Sequence, residues 1–232
     1  MRRVLVTGAN RGLGLEFTHQ LLARGDHVIA ACRDPQHAEA LHALARAHAD
    51  RLHPIAVEMA DADSVSMLAH QATQRYDGLD LLINNAGMLV SGEHFGDVTA
   101  AALASSVQVN TVGPFLLVQA LAPLLRKGDA PTVANLSSRL GSMAITSSFY
   151  TPSYAISKAA LNMATVLLAH ALKADGVRVV ALSPGWVKTD MGGAGADVLP
   201  AVSVSGMVRV IDAMTMEDSG TFMDYQGQSI LW

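Results

Sequence analysis

The sequence predicts the α/β fold class, with about seven strands in one mostly parallel, doubly wound sheet. Two observations predict it: short β-branched runs alternate with longer helical patterns along the whole chain, and no long linker or repeat interrupts them. The length of 232 residues suits a single domain over 1–232. Such alternation implies right-handed crossovers and helices on both faces, so ligands should bind beyond the carboxyl ends of the strands.

The first predicted strand, 4–6, leads into the most specific local pattern. Gly8, Gly12 and Gly14 follow it in the spacing Gly-x-x-x-Gly-x-Gly, and an amphipathic helix begins there. One glycine would make the tight turn, one would let the backbone approach a pyrophosphate, and one would let the helix pack closely on the sheet. The pyrophosphate would rest on the helix N-terminus. We therefore predict a Rossmann-type dinucleotide-binding domain, with a purely structural glycine turn as the alternative.

The later elements are predicted from caps and periodicity. The first helix should end at Arg24 and Gly25, because glycine supplies the left-handed C-cap, and Asp63 can cap a helix that runs to Arg75. Strands are predicted at 27–31, 52–57, 79–84, 132–136, 178–182 and 221–223. Helices are predicted at 36–48, 63–75, 100–126, 152–175 and 203–214, with a glycine-rich loop at 191–195.

Composition excludes several classes of protein. A formal net charge of −4 with only 16% charged residues gives no basic surface for nucleic acid. No apolar run approaches the length of a membrane span, and 1–3 lead into the first strand without a signal-like segment. The single cysteine, Cys32, excludes an internal disulfide and fits a reducing compartment, while nine scattered histidines form no convincing metal site. We expect a soluble, cytoplasmic protein that binds no metal, nucleic acid or membrane.

Motifs at the predicted strand ends match one family in order. They are Thr-Gly-Ala-Asn-Arg-Gly-Leu-Gly at 7–14, Asn-Asn-Ala-Gly at 84–87, Asn110, Ser137-Ser138, Tyr154-x-x-x-Lys158 and Pro184-Gly185. The chain thereby resembles the short-chain dehydrogenase/reductase family over nearly its whole length. Segments 135–142, 184–193 and 224–227 are similar to the bacterial C-factor-like and sniffer-like carbonyl reductases. The resemblance implies an oxidoreductase that uses a nicotinamide cofactor to reduce a carbonyl group.

Tyr154 and Lys158 are the predicted catalytic pair. Four residues apart on a helix, they share one face with their side chains side by side. Bringing a tyrosine from a pKa of about 10 to near 7 requires roughly 4 kcal/mol, which a nearby ammonium and a nicotinamide cation can supply. An ordinary helix-surface pair is the alternative. Tyr150 is a poorer candidate for the acid, because no lysine follows it four residues later.

The resemblance implies that Ser138 donates a hydrogen bond to the substrate carbonyl and shares the developing oxyanion charge with Tyr154. Ser137 and Ser142 stay open as substitutes, because the gap to the tyrosine is a few residues longer than in many family members. Asn110 is implied to hold a water that links the catalytic lysine to solvent. A buried asparagine that satisfies helix backbone is the other interpretation, and the two roles are compatible.

The choice of cofactor depends on the end of the second strand. Cys32 stands where an NAD-specific enzyme has a carboxylate, whereas Arg33 and Arg11 could clamp a 2′-phosphate, so we predict NADP(H). Asp34 comes one position late, and Glu58 stands where the family has an aspartate against the adenine. The other residues predicted to bind the cofactor are Gly8, Asn10, Gly12, Leu13, Gly14, Met59, Asn85, Ala86, Gly87, Tyr154, Lys158, Pro184, Gly185, Val187 and Thr189.

The substrate and the assembly are predicted from apolar residues. An apolar pocket under a mobile lid should be lined by Leu140, Met143, Phe149, Trp186 and the loop 189–198. The substrate would therefore be a small, apolar aldehyde, ketone or quinone. Helices at 112–125 and 155–172 carry apolar or small residues almost all the way round, which predicts a homodimer or tetramer through these two helices.

Two alternative functions accompany this prediction. Because fold does not fix function, the same chain could be a catalytically idle nucleotide-binding signalling protein. The presence of the Ser138, Tyr154 and Lys158 set argues against that alternative. An epimerase or dehydratase is disfavoured, because the chain is too short for a sizeable C-terminal substrate domain.

Overall fold

The computed structural model describes all 232 residues, and its centre is one seven-stranded sheet. The strands are β1 (Arg3–Thr7), β2 (His27–Cys32), β3 (Leu52–Ala56), β4 (Leu81–Asn84), β5 (Thr132–Leu136), β6 (Arg178–Ser183) and β7 (Phe222–Asp224). Their spatial order is β3-β2-β1-β4-β5-β6-β7, and every neighbouring pair runs parallel. The order reverses between β1 and β4, which puts the ligand crevice beyond the carboxyl ends of these two strands.

Seven α-helices cover the two faces of the sheet. They are α1 (Gly12–Ala23), α2 (Glu39–Ala47), α3 (Ala62–Arg75), α4 (Ala100–Val107), α5 (Gly113–Leu125), α6 (Pro152–Leu172) and α7 (Pro200–Ala213). An apolar cluster of 24 buried residues joins α3, α5 and α6 to one face, and a second cluster of 22 joins α1, α2 and α7 to the other. Because helices cover both faces, the strands are near-continuous buried runs rather than alternating ones.

The predicted fold class and number of strands are confirmed, and the differences at element ends have local causes. α1 ends just before Gly25, which adopts φ +98° as the C-cap argument requires. Leu79 does not join β4, because its N–H donates to the carbonyl oxygen of Leu124 in α5. α2 begins three residues later than predicted, because the Asp34 carboxylate accepts a hydrogen bond from the N–H of His37 and holds that segment in a turn.

Two helical predictions are corrected by the structure. The stretch 100–126 is not one α-helix, because a π-helical segment, Gln108–Val112, joins α4 to α5. Single π-helical turns inside α-helices are frequent at functional sites, and this one contains Asn110. Asp61, not Asp63, caps α3: its carboxylate accepts a hydrogen bond from the N–H of Asp63 at 2.9 Å. A capping side chain stands immediately before the first helical residue, here Ala62, so the cap lies two residues earlier than predicted.

Two helical stretches, Ala100–Leu125 and Pro152–Asp175, are long and apolar enough to cross a membrane, each with a mean hydropathy of 1.4. The sequence expectation of no membrane span was based on the length of uninterrupted apolar runs, not on mean hydropathy, and therefore did not include these two stretches. α5 and α6, which lie within these stretches, contribute buried residues to the apolar cluster on one face of the sheet. Packing against a parallel sheet accounts for part of their composition, because 39% and 50% of the most apolar 18-residue stretches of the two are buried.

Candidate active site

The turn after β1 packs against the turn after β4 at the carboxyl edge of the sheet. Gly8 has φ +64° and Gly12 has φ +53°, a region that favours glycine. A Cβ on Gly8 would lie 2.9 Å from the Cα of Ala86, and one on Gly14 would clash with the Gly8 carbonyl oxygen. The N-cap residue of α1, Arg11, makes no side-chain cap. The first N–H groups of α1 are therefore left without a side-chain partner, in a cradle that only glycines permit.

Asn85 and Thr7 fasten these two turns together. The Asn85 amide nitrogen Nδ2 donates to the carbonyl oxygens of Thr7 and Gly8, at 2.8 and 3.2 Å. The Thr7 hydroxyl accepts in return from the backbone N–H groups of Asn85 and Ala86, at 3.1 and 3.0 Å. Sequence reasoning assigned Asn85 and Ala86 to the cofactor site but gave no role to Thr7, although Thr7 is the first residue of the 7–14 motif.

The two arginines expected at the cofactor are both exposed, but their surroundings differ. Arg11 forms an ion pair with Asp190 at 3.2 Å, whereas Arg33 forms no ion pair. Asp34 is turned away into its own loop, where its carboxylate lies 2.6 Å from Nδ1 of His37, and that hydrogen bond holds the pKa of Asp34 below its usual value. Cys32 is buried at the end of β2, and burial raises the pKa of its thiol. The end of β2 thus presents one unpaired cation and no carboxylate directed at a ribose.

The turn after β3 contains Glu58 and Met59. The Glu58 carboxylate accepts a hydrogen bond from the N–H of Ala60 at 3.1 Å, and the Glu58 N–H donates to the hydroxyl of Ser64 at 2.9 Å. Met59 is buried in the apolar cluster that includes α5. The Glu58 carboxylate therefore shapes its own turn.

Tyr154 and Lys158 lie on the first two turns of α6, and both are buried. The Lys158 ammonium donates to the carbonyl oxygen of Leu136 at 2.7 Å and lies 5.5 Å from the centre of the Tyr154 ring. Burial lowers the pKa of Lys158 to about 8. Burial also raises the pKa of Tyr154 to about 12, against a smaller lowering by a hydrogen bond from Ser138. The sequence argument ascribed a lowered pKa of the phenol to Lys158 together with a bound nicotinamide cation; in the protein without the cofactor, burial dominates and keeps the pKa of Tyr154 high.

The three serines left open by the sequence have different partners. Ser137 is buried, and its hydroxyl donates to the Asn162 side-chain oxygen at 2.6 Å. The hydroxyl of Ser142, also buried, donates to the carbonyl oxygen of Leu231 at 2.5 Å. Ser138 is half-buried and contacts the tyrosine hydroxyl, and its oxygen accepts from the N–H of Leu140 at 3.2 Å. Ser138 is thus the serine whose hydroxyl lies at the phenol.

Asn110 is completely buried, and its whole side chain is hydrogen-bonded to protein. Its oxygen accepts from the N–H of Met88 at 2.8 Å, while its nitrogen donates to the Met88 carbonyl oxygen and to the Ser157 hydroxyl, each at 2.9 Å. A Cβ on Gly87 would lie 3.3 Å from the Asn110 oxygen and 3.7 Å from the Lys158 nitrogen. The turn after β4, the π-helical segment and α6 therefore meet at one point.

The segment after β6 closes the crevice from the other side. Gly185 has φ +80°, and the buried Val187 forms a parallel bridge with Val198. The hydroxyl of Thr189 accepts from the N–H of Gly192 at 3.2 Å. A Cβ on Gly12 would lie 3.5 Å from the methyl group of Thr189. The predicted lid thus begins against the glycine turn. The remaining predicted cofactor residues, Asn10, Leu13 and Pro184, are half-buried.

The predicted substrate residues are largely exposed around the site. Their exposed fractions are 36% for Leu140, 74% for Met143, 54% for Phe149 and 57% for Trp186. Phe95 packs edge-on against Phe149 with ring centres 5.7 Å apart, and Trp186 donates to the carbonyl oxygen of Gly192 at 2.8 Å. Sequence reasoning missed Phe95, whose only signal was an aromatic residue in the segment after the 84–87 turn. These apolar side chains come from the connections that follow β4, β5 and β6.

Comparisons with known proteins agree with this geometry. The family described as short chain dehydrogenase matches residues 2–197. The C-signal of Myxococcus xanthus is 44% identical over 154 residues, which are 66% of this chain and 93% of that relative. The structure of an NADPH-bound carbonyl reductase from chicken fatty liver has a TM-score of 0.94 and 38% identity, covering 100% of this chain and 99% of that one. The carbonyl reductase Sniffer of D. melanogaster has a TM-score of 0.94 and 32% identity, with both chains covered completely.

The site and the fold together define a nucleotide-dependent oxidoreductase of the doubly wound class. The chain belongs to the short-chain dehydrogenase family, and the predicted resemblance to C-factor and sniffer relatives is confirmed.

Proposed function

We propose that this oxidoreductase uses NADPH to reduce the carbonyl group of a small, apolar aldehyde, ketone or quinone to an alcohol. The observation that carries the proposal is the convergence of Ser138, Tyr154 and Lys158 at the carboxyl edge of the sheet, beside the glycine turn. The carbonyl reductases with matching folds, one of them with NADPH bound, support the choice of reaction.

The chain offers a fitting cradle for a dinucleotide. Its turn excludes any Cβ at Gly8 and Gly14, and no side chain caps the α1 N-terminus, which suits a pyrophosphate. Arg33 and Arg11 would bind the 2′-phosphate, whose two negative charges favour guanidinium groups. Lys158 donates one of its three hydrogens to Leu136, so two remain for the ribose hydroxyls. When bound, NADPH supplies the hydride that the carbonyl carbon accepts.

The protein residues supply the proton and the charge stabilisation. Tyr154 donates its phenolic proton to the carbonyl oxygen, which becomes the alcohol oxygen as the carbon–oxygen double bond becomes a single bond. Ser138 donates a second hydrogen bond to that oxygen while negative charge develops on it. Burial favours the protonated phenol, which is the form that reduction requires. The Lys158 ammonium then stabilises the phenolate that remains.

The experiment is NADPH oxidation by the purified protein against a panel of small aldehydes, ketones and quinones. We expect turnover with at least one apolar carbonyl, lowered by on the order of a hundredfold or more in Tyr154→Phe. Tyr150→Phe should retain it, because Tyr150 is exposed outside the helix. Tight NADPH binding without turnover of any carbonyl would contradict the proposal and favour the nucleotide-binding signalling alternative.

We also propose that the chain forms a homodimer or tetramer. The outer face of α6 exposes the apolar residues Ile156, Met163 and Leu167, by 51%, 57% and 56%. α5 supports the interface less, because its exposed positions are Gln119, Ala120 and Pro123. Burying such a face against a second copy removes apolar surface from water.

Sedimentation tests this assembly. Met163→Lys should shift the wild-type oligomer toward monomer, since a charge in an apolar interface is costly. Met67→Lys is the matched control, because Met67 is 61% exposed on α3, which is not one of the two proposed interface helices. A wild-type protein that sediments as a monomer at every concentration would refute the proposal.

A cytoplasmic location is proposed as well, supported by the single free thiol at Cys32.

A further inference from the structure

The catalytic helix α6 has no capping side chain of its own. Its N-cap residue, Thr151, adopts φ +40° and ψ +58°, a left-handed conformation that is rare and costly for a β-branched residue. The Thr151 hydroxyl is buried and has no hydrogen-bond partner. An N-cap threonine normally adopts an extended conformation and accepts from the second or third helical N–H. The local sequence therefore leaves the start of α6 uncapped.

Glu93, from the loop between β4 and α4, fills this role instead. One carboxylate oxygen accepts from the backbone N–H of Ser153 at 3.1 Å, and the other accepts from the Ser153 hydroxyl. Ser153 is the second residue of α6, directly before Tyr154. A carboxylate at this position satisfies an otherwise free N–H group and interacts favourably with the positive end of the helix dipole.

The same loop is fastened to α6 at a second point one turn later. Asn110 holds both the N–H and the carbonyl oxygen of Met88, and it also donates to the Ser157 hydroxyl. Ser153 and Ser157 are four residues apart, as are Tyr154 and Lys158, so two neighbouring rows of one helix serve different purposes. One row binds the 88–93 segment, and the other carries the catalytic pair.

We propose that Glu93 is a positioning residue that caps α6 across the site and thereby fixes the Tyr154 phenol in its donating position. This inference rests on the proposed role of Tyr154 as the acid. Helix ends open more readily than helix centres, and Tyr154 lies in the first turn. A displacement of the phenol by about 1 Å is sufficient to cost a large factor in rate.

The test compares Glu93 with a carboxylate that makes the same contacts elsewhere. Asp218 accepts from both the backbone N–H and the hydroxyl of Thr215, at 2.8 and 2.9 Å. This turn precedes β7 and therefore lies at the amino end of that strand. Asp218→Ala removes an equivalent cap without touching α6. Three variants, Glu93→Ala, Glu93→Gln and Asp218→Ala, are measured for kcat, KM, NADPH affinity and hydrogen exchange at residues 153–155.

We expect Glu93→Ala to lower kcat roughly tenfold, to change NADPH affinity less than about twofold and to accelerate exchange at 153–155. Glu93→Gln should recover most of the kcat, because its amide oxygen still accepts from Ser153. Asp218→Ala should leave kcat and this exchange unchanged.

Unchanged exchange in Glu93→Ala, or a kcat equal to that of Asp218→Ala, overturns the inference. Failure of the wild type to reduce any carbonyl overturns the proposed function instead, and exchange at 153–155 still decides whether Glu93 caps the helix.

Discussion

The two edges of the sheet treat buried charges differently. At the amino ends of the strands, buried carboxylates are paired with arginines, whereas at the carboxyl ends a buried lysine has no carboxylate partner. Asp80, immediately before β4, is 4% exposed and accepts hydrogen bonds from the backbone and the guanidinium of Arg3. Asp26, immediately before β2, is 2% exposed and forms an ion pair with Arg24 at 2.5 Å. Lys158, also 4% exposed, donates only to a backbone carbonyl oxygen.

The pKa values of the two edges follow from this difference. Burial would raise the pKa of Asp80, but the hydrogen bonds from Arg3 and from the N–H of Asp129, together with the charge of Arg3, hold the pKa below its usual value. For Lys158, burial acts unopposed and lowers the pKa to about 8. A paired buried charge stays charged and supports the fold, whereas an unpaired one is left free to interact with a ligand.

Tyr154→Phe tests the carboxyl edge with the largest expected effect. The substitution removes only the transferable proton and one donor to the oxyanion, so kcat should fall by on the order of a hundredfold or more. NADPH affinity and the free energy of unfolding should change little. Steady-state kinetics and cofactor titration measure this. Near-normal turnover in Tyr154→Phe together with lost turnover in Tyr150→Phe would show that the assigned acid is wrong.

Asp80→Asn tests the amino edge, where we expect a loss of stability without a loss of activity. Removing one member of a buried ion pair leaves Arg3 without its main partner, and we expect a loss of about 3 kcal/mol in the free energy of unfolding. kcat should stay within about twofold of wild type, because the reacting groups lie at the other edge. Denaturant unfolding and kinetics on one preparation measure both quantities. A kcat that falls as far as in Tyr154→Phe would abolish the distinction between the edges.

The fold could be predicted from sequence because its signals are local. The alternation of apolar runs and helical patterns fixes a parallel sheet, and Gly25 marks the end of α1 without any tertiary information. The π-helical segment at Gln108–Val112 is followed by Gly113 and Pro114, which disfavour a continuous α-helix, but this local signal does not say that a π-helical turn forms there. It forms where the Asn110 side chain reaches both Met88 and Ser157, which are distant in sequence.

Only those residues of the candidate site that belong to family motifs could be predicted from the sequence. Ser138, Tyr154 and Lys158 were identified in this way, and the structure brings them together. The partners that distinguish Ser138 from Ser137, as well as the cap from Glu93, depend on contacts across 25 to 60 positions of sequence. No local pattern encodes such contacts, and for the same reason burial of the phenol was not anticipated.

The buried, unpaired Lys158 should also make the free energy of unfolding depend on pH, with a smaller expected effect. Lys158 has a pKa of about 8 when folded, against 10.5 when unfolded, so between these values the unfolded chain binds more protons and stability rises with pH. From pH 7.5 to 9.5 this contributes a gain of about 2 kcal/mol in the cofactor-free protein. Denaturant unfolding of wild type and Lys158→Met at both pH values isolates it, because other titrating groups cancel in the difference. An identical pH dependence in the two proteins would mean that Lys158 is not desolvated.

The substitution of Arg33 has the smallest expected effect. It tests whether a charge at the carboxyl edge can bind the ligand while exposed, unlike the buried Lys158. Arg33 has no ion-pair partner, whereas Arg11 is already paired with Asp190, so Arg33 loses nothing by turning to a 2′-phosphate. Arg33→Ala should therefore weaken NADPH binding roughly tenfold, about 1.4 kcal/mol, and leave NADH binding nearly unchanged. Arg46→Ala, which removes an exposed charge on α2, is the matched control in titrations with both cofactors. Equal losses for NADPH and NADH, or equal wild-type affinities for the two, would show that the exposed guanidinium does not read the phosphate.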